Sequence, residues 1–147
     1  MSKKTPATTT IHINHASVYA HDPERAARDL AAIVNGTVQP FHPCAGAWVC
    51  FLSAGDDWNG AFIEFYPRTV TLAANAGSVE FRELKPPATG AGTHFNLSIP
   101  LTRSELESLC DRRKLAHSWR DWQALLEVWL DAELLIECVP TTNSNPQ

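Results

Sequence analysis

The 147-residue chain carries 44% apolar and 19% charged side chains, which excludes a wholly disordered chain, a collagen-like repeat and a coiled coil. Its 12 basic and 16 acidic side chains give a net charge of −4, the opposite of the basic excess of a phosphate-backbone binder, so no nucleic acid is expected as a partner. No run of about 20 apolar residues could span a membrane. No apolar core follows Met1-Ser2-Lys3-Lys4, so neither a signal peptide nor a membrane is expected, and a cytoplasmic location is.

Residues 1–9 and 141–147 read as polar tails. Between them one domain, 10–140, divides into module one (10–67), a linker (68–92) and module two (93–140). The β-branched run Ile11 to Ala20 predicts a strand. Asp22-Pro23-Glu24 starts a helix with apolar positions Ala26, Ala27, Leu30, Ile33 and Val34, and Asn35-Gly36 stops it, with Gly36 expected in the left-handed conformation. Strands are expected at Thr37 to Phe41, Ala47 to Leu52 and Ala61 to Tyr66. The linker, with an Ala-rich segment from Leu72 to Ser78, then Pro86-Pro87 and Gly90-Ala91-Gly92, is read as the connection between the two copies.

The same order follows again. Thr93 to Ile99 alternates as a strand, and Thr102-Arg103-Ser104-Glu105 is a capping box opening a helix through Leu106, Leu109 and Cys110. Strands are predicted at Ala116 to Trp119, Ala124 to Leu130 and Leu134 to Val139. Arg112-Arg113-Lys114, the densest basic run, reads as a solvated helix end. None of the four cysteines is in C-x-x-C spacing, which points to reduced thiols, with Cys50 and Cys138 in the core. The five tryptophans are expected mostly in the core or a pocket wall, and His21, His42 and His117 in loops or at the surface.

Each module places a histidine in its first strand, His15 or His94, and a glutamate in its last, Glu64 or Glu137. A carboxylate among apolar neighbours needs a partner, a proton or a metal. Strand alternation puts His15, Ser17 and Tyr19 on one face, and His94, Asn96 and Ser98 on the equivalent one; His12 competes with His15. A pocket with two imidazoles and two carboxylates suits a divalent cation. The plainer reading is a structural histidine in each strand and a glutamate at an edge or paired with an arginine such as Arg120.

This order, with Ile13-Asn14-His15-Ala16-Ser17-Val18 ahead of Asp22, Phe62-Ile63-Glu64-Phe65, and Leu135-Ile136-Glu137, resembles the vicinal oxygen chelate superfamily, whose best-known member is glyoxalase I. The resemblance spans about residues 11–140. It implies an α+β fold of two βαβββ modules forming a curved, mostly antiparallel sheet around a metal-binding cavity. It implies His15, Glu64, His94 and Glu137 as ligands of a divalent ion, zinc or nickel first and cobalt, manganese or iron otherwise. Glu137 is the first choice for the proton-transferring base and Glu64 the second, with Glu127 an outsider. Ser17, Tyr19, Phe62, Tyr66, Asn96 and Ser98 would line the substrate cavity, with Arg68 for an anionic group.

The implied activity is that of a glyoxalase-like lyase or isomerase, acting on a small vicinal-oxygen substrate by metal chelation and carboxylate proton transfer. The implied assembly is a homodimer. Bacterial glyoxalase I enzymes hold glutathione with an Arg and an Asn where this chain has Tyr19 and Arg68, so a glutathione adduct is not carried over. The alternatives are a metal-free small-molecule-binding or drug-resistance protein on the same fold, and a non-haem iron dioxygenase that leaves Glu64 outside the coordination sphere.

Overall fold

The computed structural model describes residues 13–55, 58, 60–75, 78–89 and 94–140. Expectations for 1–12, His12 included, for Gly90 to Thr93 and for 141–147 lie outside the described residues. Module one consists of β1 (His15–Ala20), α1 (Pro23–Val34), β2 (Thr37–Pro40), β3 (Trp48–Phe51) and β4 (Phe62–Pro67). A hairpin of β5 (Val70–Asn75) and β6 (Ser78–Glu83) follows. Module two repeats the order with β7 (His94–Ile99), α2 (Arg103–Arg113), β8 (Ala116–Arg120), β9 (Leu125–Asp131) and β10 (Leu134–Pro140).

The fold is the expected α+β arrangement of two βαβββ modules, with the strands in two four-stranded sheets. Their orders, β1-β4-β3-β2 and β7-β10-β9-β8, are the same topology twice. In each, the first and last strands of the module pair in parallel and the other neighbours antiparallel.

The helix ends follow local chemistry. Asp22 Oδ1 accepts the Arg25 N–H at 3.0 Å, and Pro23 fits the first turn. At the other end Asn35, not Gly36, is the left-handed residue (φ 54°). Gly36 is required for a different reason: a Cβ there would lie 2.0 Å from the Phe51 carbonyl oxygen. In α2 the Thr102 hydroxyl accepts the Glu105 N–H, and the Glu105 carboxylate accepts the Thr102 N–H at 2.8 Å, completing the capping box. These bonds to Thr102 hold the Glu105 carboxyl below its ordinary range.

One core serves both modules. Val18, Ala20, Ile63 and Phe65 of sheet one, Leu30 and Ile33 of α1, Leu106 and Cys110 of α2, and Leu126, Val128 and Ile136 of sheet two form one buried cluster. Helix α1 packs on its own sheet and also on β9 and α2. Fully burying each Leu or Ile contributes about 1.5–3 kcal/mol. All four cysteines are free and buried; burial pushes the Cys50 and Cys138 thiols up to about 12 and Cys110 to about 11.

Polar links cross the same seam. His21 Nε2 lies 2.7 Å from the Glu133 carboxylate, and the His21 N–H donates to Asp131 Oδ2 at 2.8 Å. Asp29, only 3% exposed on α1, is bound by Arg113 from α2. Nothing in the local pattern marks this carboxylate as buried, because an Asp in an amphipathic helix ordinarily faces water.

Candidate functional site

The sheet faces away from the core are where the site was expected. In module one, His15 is in register with Phe62 and Ser17 with Glu64. In module two, His94 is in register with Leu135 and Asn96 with Glu137. Each histidine therefore shares a face with its glutamate and sits two residues earlier along a neighbouring parallel strand. Because the helix-side faces merge in one core, both His/Glu faces point away from it. Within the single chain, no three His, Cys, Asp or Glu among the described residues come together in a way that could hold a metal ion.

The two glutamates are stabilised by different groups. Glu64 is 6% exposed, and its Oε2 accepts hydrogen bonds from the Ser17 and Tyr66 hydroxyls, both at 2.6 Å. Burial, and then the bond to Glu64, raise the Tyr66 phenol well above its usual range, so it remains a protonated donor. Its Oε1 has no hydrogen-bond partner among the described residues. Glu137 instead accepts from the Arg120 guanidinium at 3.2 Å and from Asn96 Nδ2 at 3.3 Å. Arg120 also pairs with Glu127, which lies directly opposite Glu137 on β9. The alternative of a glutamate paired with Arg120 is thus realised at Glu137.

The imidazoles lie at the surface. His15 is exposed and stacks on Phe62, with centroids 4.9 Å apart and planes 8° from parallel. His94 and its face-mates Asn96 and Ser98 are exposed as well. Arg68 is buried and already engaged: it donates to the Ala88 and Glu133 carbonyls at 3.1 and 3.0 Å and pairs with the Glu133 carboxylate at 3.3 Å. It ties the linker to module two, which leaves the expected anion role without an open guanidinium.

The linker supplies a wall that the sequence reading missed. Phe81 of β6 packs edge-on against Tyr66 (5.5 Å between centroids) and Phe41 (6.4 Å), covering part of the module-one face. A cavity of about 200 Å³ remains between Ser17, Tyr19 and Tyr66 on the sheet and Thr71 and Leu72 on the hairpin. The period-two alternation Val79-Glu80-Phe81-Arg82 was the available signal, hidden by the alanines before it.

No family model matches the chain, and no curated protein does either. Solved structures do match. The fosfomycin resistance protein FosX of Mesorhizobium loti superposes with a TM-score of 0.53 at 10% identity, covering 92% of this chain and 96% of its own. Lactoylglutathione lyase of Agrobacterium tumefaciens gives 0.53 at 14%, covering 92% and 96%. The trypanothione-dependent glyoxalase I of Leishmania major gives 0.54 at 11%, covering 89% and 87%.

This chain has the vicinal oxygen chelate fold. At such identities the likeness carries the architecture and no activity. The donor types on each sheet face suit a divalent ion: one open imidazole and one glutamate, with Glu64 Oε1 free and Glu137 already bonded to Arg120. Of the tryptophans, Trp48 and Trp119 pack against the core and Trp129 lines a cavity as expected, whereas Trp58 and Trp122 are exposed. His117 lies half-buried in β8, bonded to the Leu115 carbonyl, and not in a loop.

Proposed function

We propose that the protein is a metal-dependent lyase or isomerase for a small substrate with two vicinal oxygens, and that each active site joins module one of one chain to module two of a second copy. The observation that carries this reading is the repeated register: both modules offset histidine and glutamate by the same step on an outward face. Two such half-sites are complementary, and a two-fold pairing of chains would complete two of them at once. The ligands would be His15, Glu64, His94 and Glu137.

A divalent ion, zinc or nickel by preference, would supply Lewis acidity toward the substrate oxygens. The chain's own residues do the rest. Ser17 and Tyr66 clamp Glu64 Oε2, which fixes the direction of the free Oε1. Glu137 would take the substrate proton on Oε2, whose single contact is the long bond from Asn96, while Arg120 orients Oε1. Tyr19 and Tyr66 would bound the substrate, and the hairpin would restrict water. A second reading, a metal-free binding protein for a small molecule, is favoured by the Arg120–Glu137 pair, because a guanidinium competes with a cation for that carboxylate.

The test is metal content and oligomeric state for the wild type and for His15→Ala and His94→Ala. About one divalent ion per chain in a dimer is expected, lost in either variant. Mixing the two variants should restore about a quarter of the wild-type metal, because half the dimers would be mixed and each would hold one intact site. A wild type that stays empty after addition of nickel, zinc, manganese and iron overturns the metal reading and leaves the binding protein. Iron occupancy with oxygen uptake on catechols would instead identify a dioxygenase.

A further inference from the structure

One cavity is lined by none of His15, Glu64, His94 and Glu137. It has a volume of about 600 Å³ and opens at the seam between the modules, where the start of α1 meets the end of α2 and the end of β9. Arg25, Lys114 and His21 line it together with Asp22, Asp131 and the indole of Trp129. A second cleft of about 420 Å³ shares Asp22 and Arg25 with it and adds Arg28, Arg112 and Arg113. Five basic side chains thus meet four carboxylates here, on a chain whose net charge is −4.

The carboxylates are all engaged. Asp22 caps α1, Glu24 holds Arg28, and Asp29 holds Arg113 and also pairs with Arg25 Nε at 3.7 Å. Asp131 accepts the His21 and Glu133 backbone N–H groups at 2.8 Å each. Arg112 and Lys114 are left with no ion-pair partner among the described residues. Lys114 also occupies the left-handed C-cap of α2 (φ 58°), where glycine would sit without a steric penalty. Asn35 and Ala124 cap their helices in the same conformation, and of the three only Lys114 lines this cavity.

We propose that this seam cavity is a second binding site, taking a small planar aromatic ligand that carries an anionic group. The ring stacks on Trp129, and the carboxylate or phosphate is held by Lys114 and Arg25. The volume is in the range of small-molecule sites, roughly 300–1,000 Å³. None of the four proposed ligands lines this cavity, although Trp129 shares the outward face of sheet two with Glu137.

Two probes separate the sources of the anion: salicylate for an aromatic carboxylate and adenosine monophosphate for an aromatic phosphate. Binding to the full-length protein is followed by isothermal titration. Saturable binding of at least one probe is expected, weakened about tenfold in Lys114→Gly, the effect of losing one charge-assisted hydrogen bond. Glycine suits the left-handed cap, so that variant keeps the fold; unchanged thermal unfolding checks this. Trp129→Leu should weaken the same probe, whereas benzyl alcohol, which has the ring without the charge, should bind wild type and Lys114→Gly alike. Absence of saturable binding by both probes, or affinity unchanged in Lys114→Gly, overturns the proposal and leaves Lys114 as a helix terminator.

Discussion

The two modules share topology and register but solve the same electrostatic problem in opposite ways. Module one buries Glu64 under an aromatic wall and satisfies it with two neutral hydroxyls. Module two keeps its face open and compensates Glu137 and Glu127 with one guanidinium. Neutral donors leave the full negative charge available to a ligand, whereas a guanidinium cancels it. The more buried carboxylate is thus the one better prepared for a cation, and the half-buried Glu137 is held in check.

Removing Arg120 should break this contrast most sharply. Arg120→Ala leaves two carboxylates facing each other across β9 and β10 and should cost about 2 kcal/mol, below the figure for a fully buried pair because the site is partly exposed. Adding Glu137→Gln should recover much of that loss in denaturant titration. If the proposed metal site is correct, Arg120→Ala should also bind the ion more tightly; unchanged affinity would show that the guanidinium does not compete.

Tyr66→Phe tests the neutral solution. Loss of a hydroxyl bonded to a buried carboxylate should cost about 1.5–2 kcal/mol at neutral pH. The pH dependence has a definite sign. The folded phenol ionises above its ordinary value of 10.0, so its contribution is complete below that pH and declines as pH rises toward the folded value. Wild-type and Tyr66→Phe stabilities measured by denaturant titration should therefore converge above about pH 10.

The smallest effects compare the helix starts. Thr102→Ala and Asp22→Ala should each cost about 1 kcal/mol in thermal unfolding. The Thr102 loss should shrink in acid, because the lowered Glu105 carboxyl supports the cap only while ionised and loses that role as pH falls through its folded value.

Legibility in the sequence tracked the range of the interaction. Local chemistry was readable: the Asp22-Pro23 start, the Thr102/Glu105 box and the alternation in β7 all point to the observed elements. The repeat was readable, and parity groups His15 with Ser17 and Tyr19 within β1, but it is the β1–β4 register that brings Glu64 to the same face. Parity does not say what covers a face. The Phe81 wall, the burial of Asp29 beneath Arg113 and the fastening of Arg68 to Glu133 join residues far apart in the chain, and no local pattern announces them. Gly36 illustrates the same limit, since a helix-ending glycine looks identical whether it is needed for its φ or, as here, for the approach of Phe51.

The single core has a consequence for how such a chain unfolds. One βαβββ module alone would leave uncovered the side of α1 that packs on β9 and α2, an apolar patch that a monomer tolerates poorly. It would need a second module, its own copy or the other half, to cover that surface. The halves, though recognisably duplicates, should melt in one cooperative transition, each lacking half of its interior without the other.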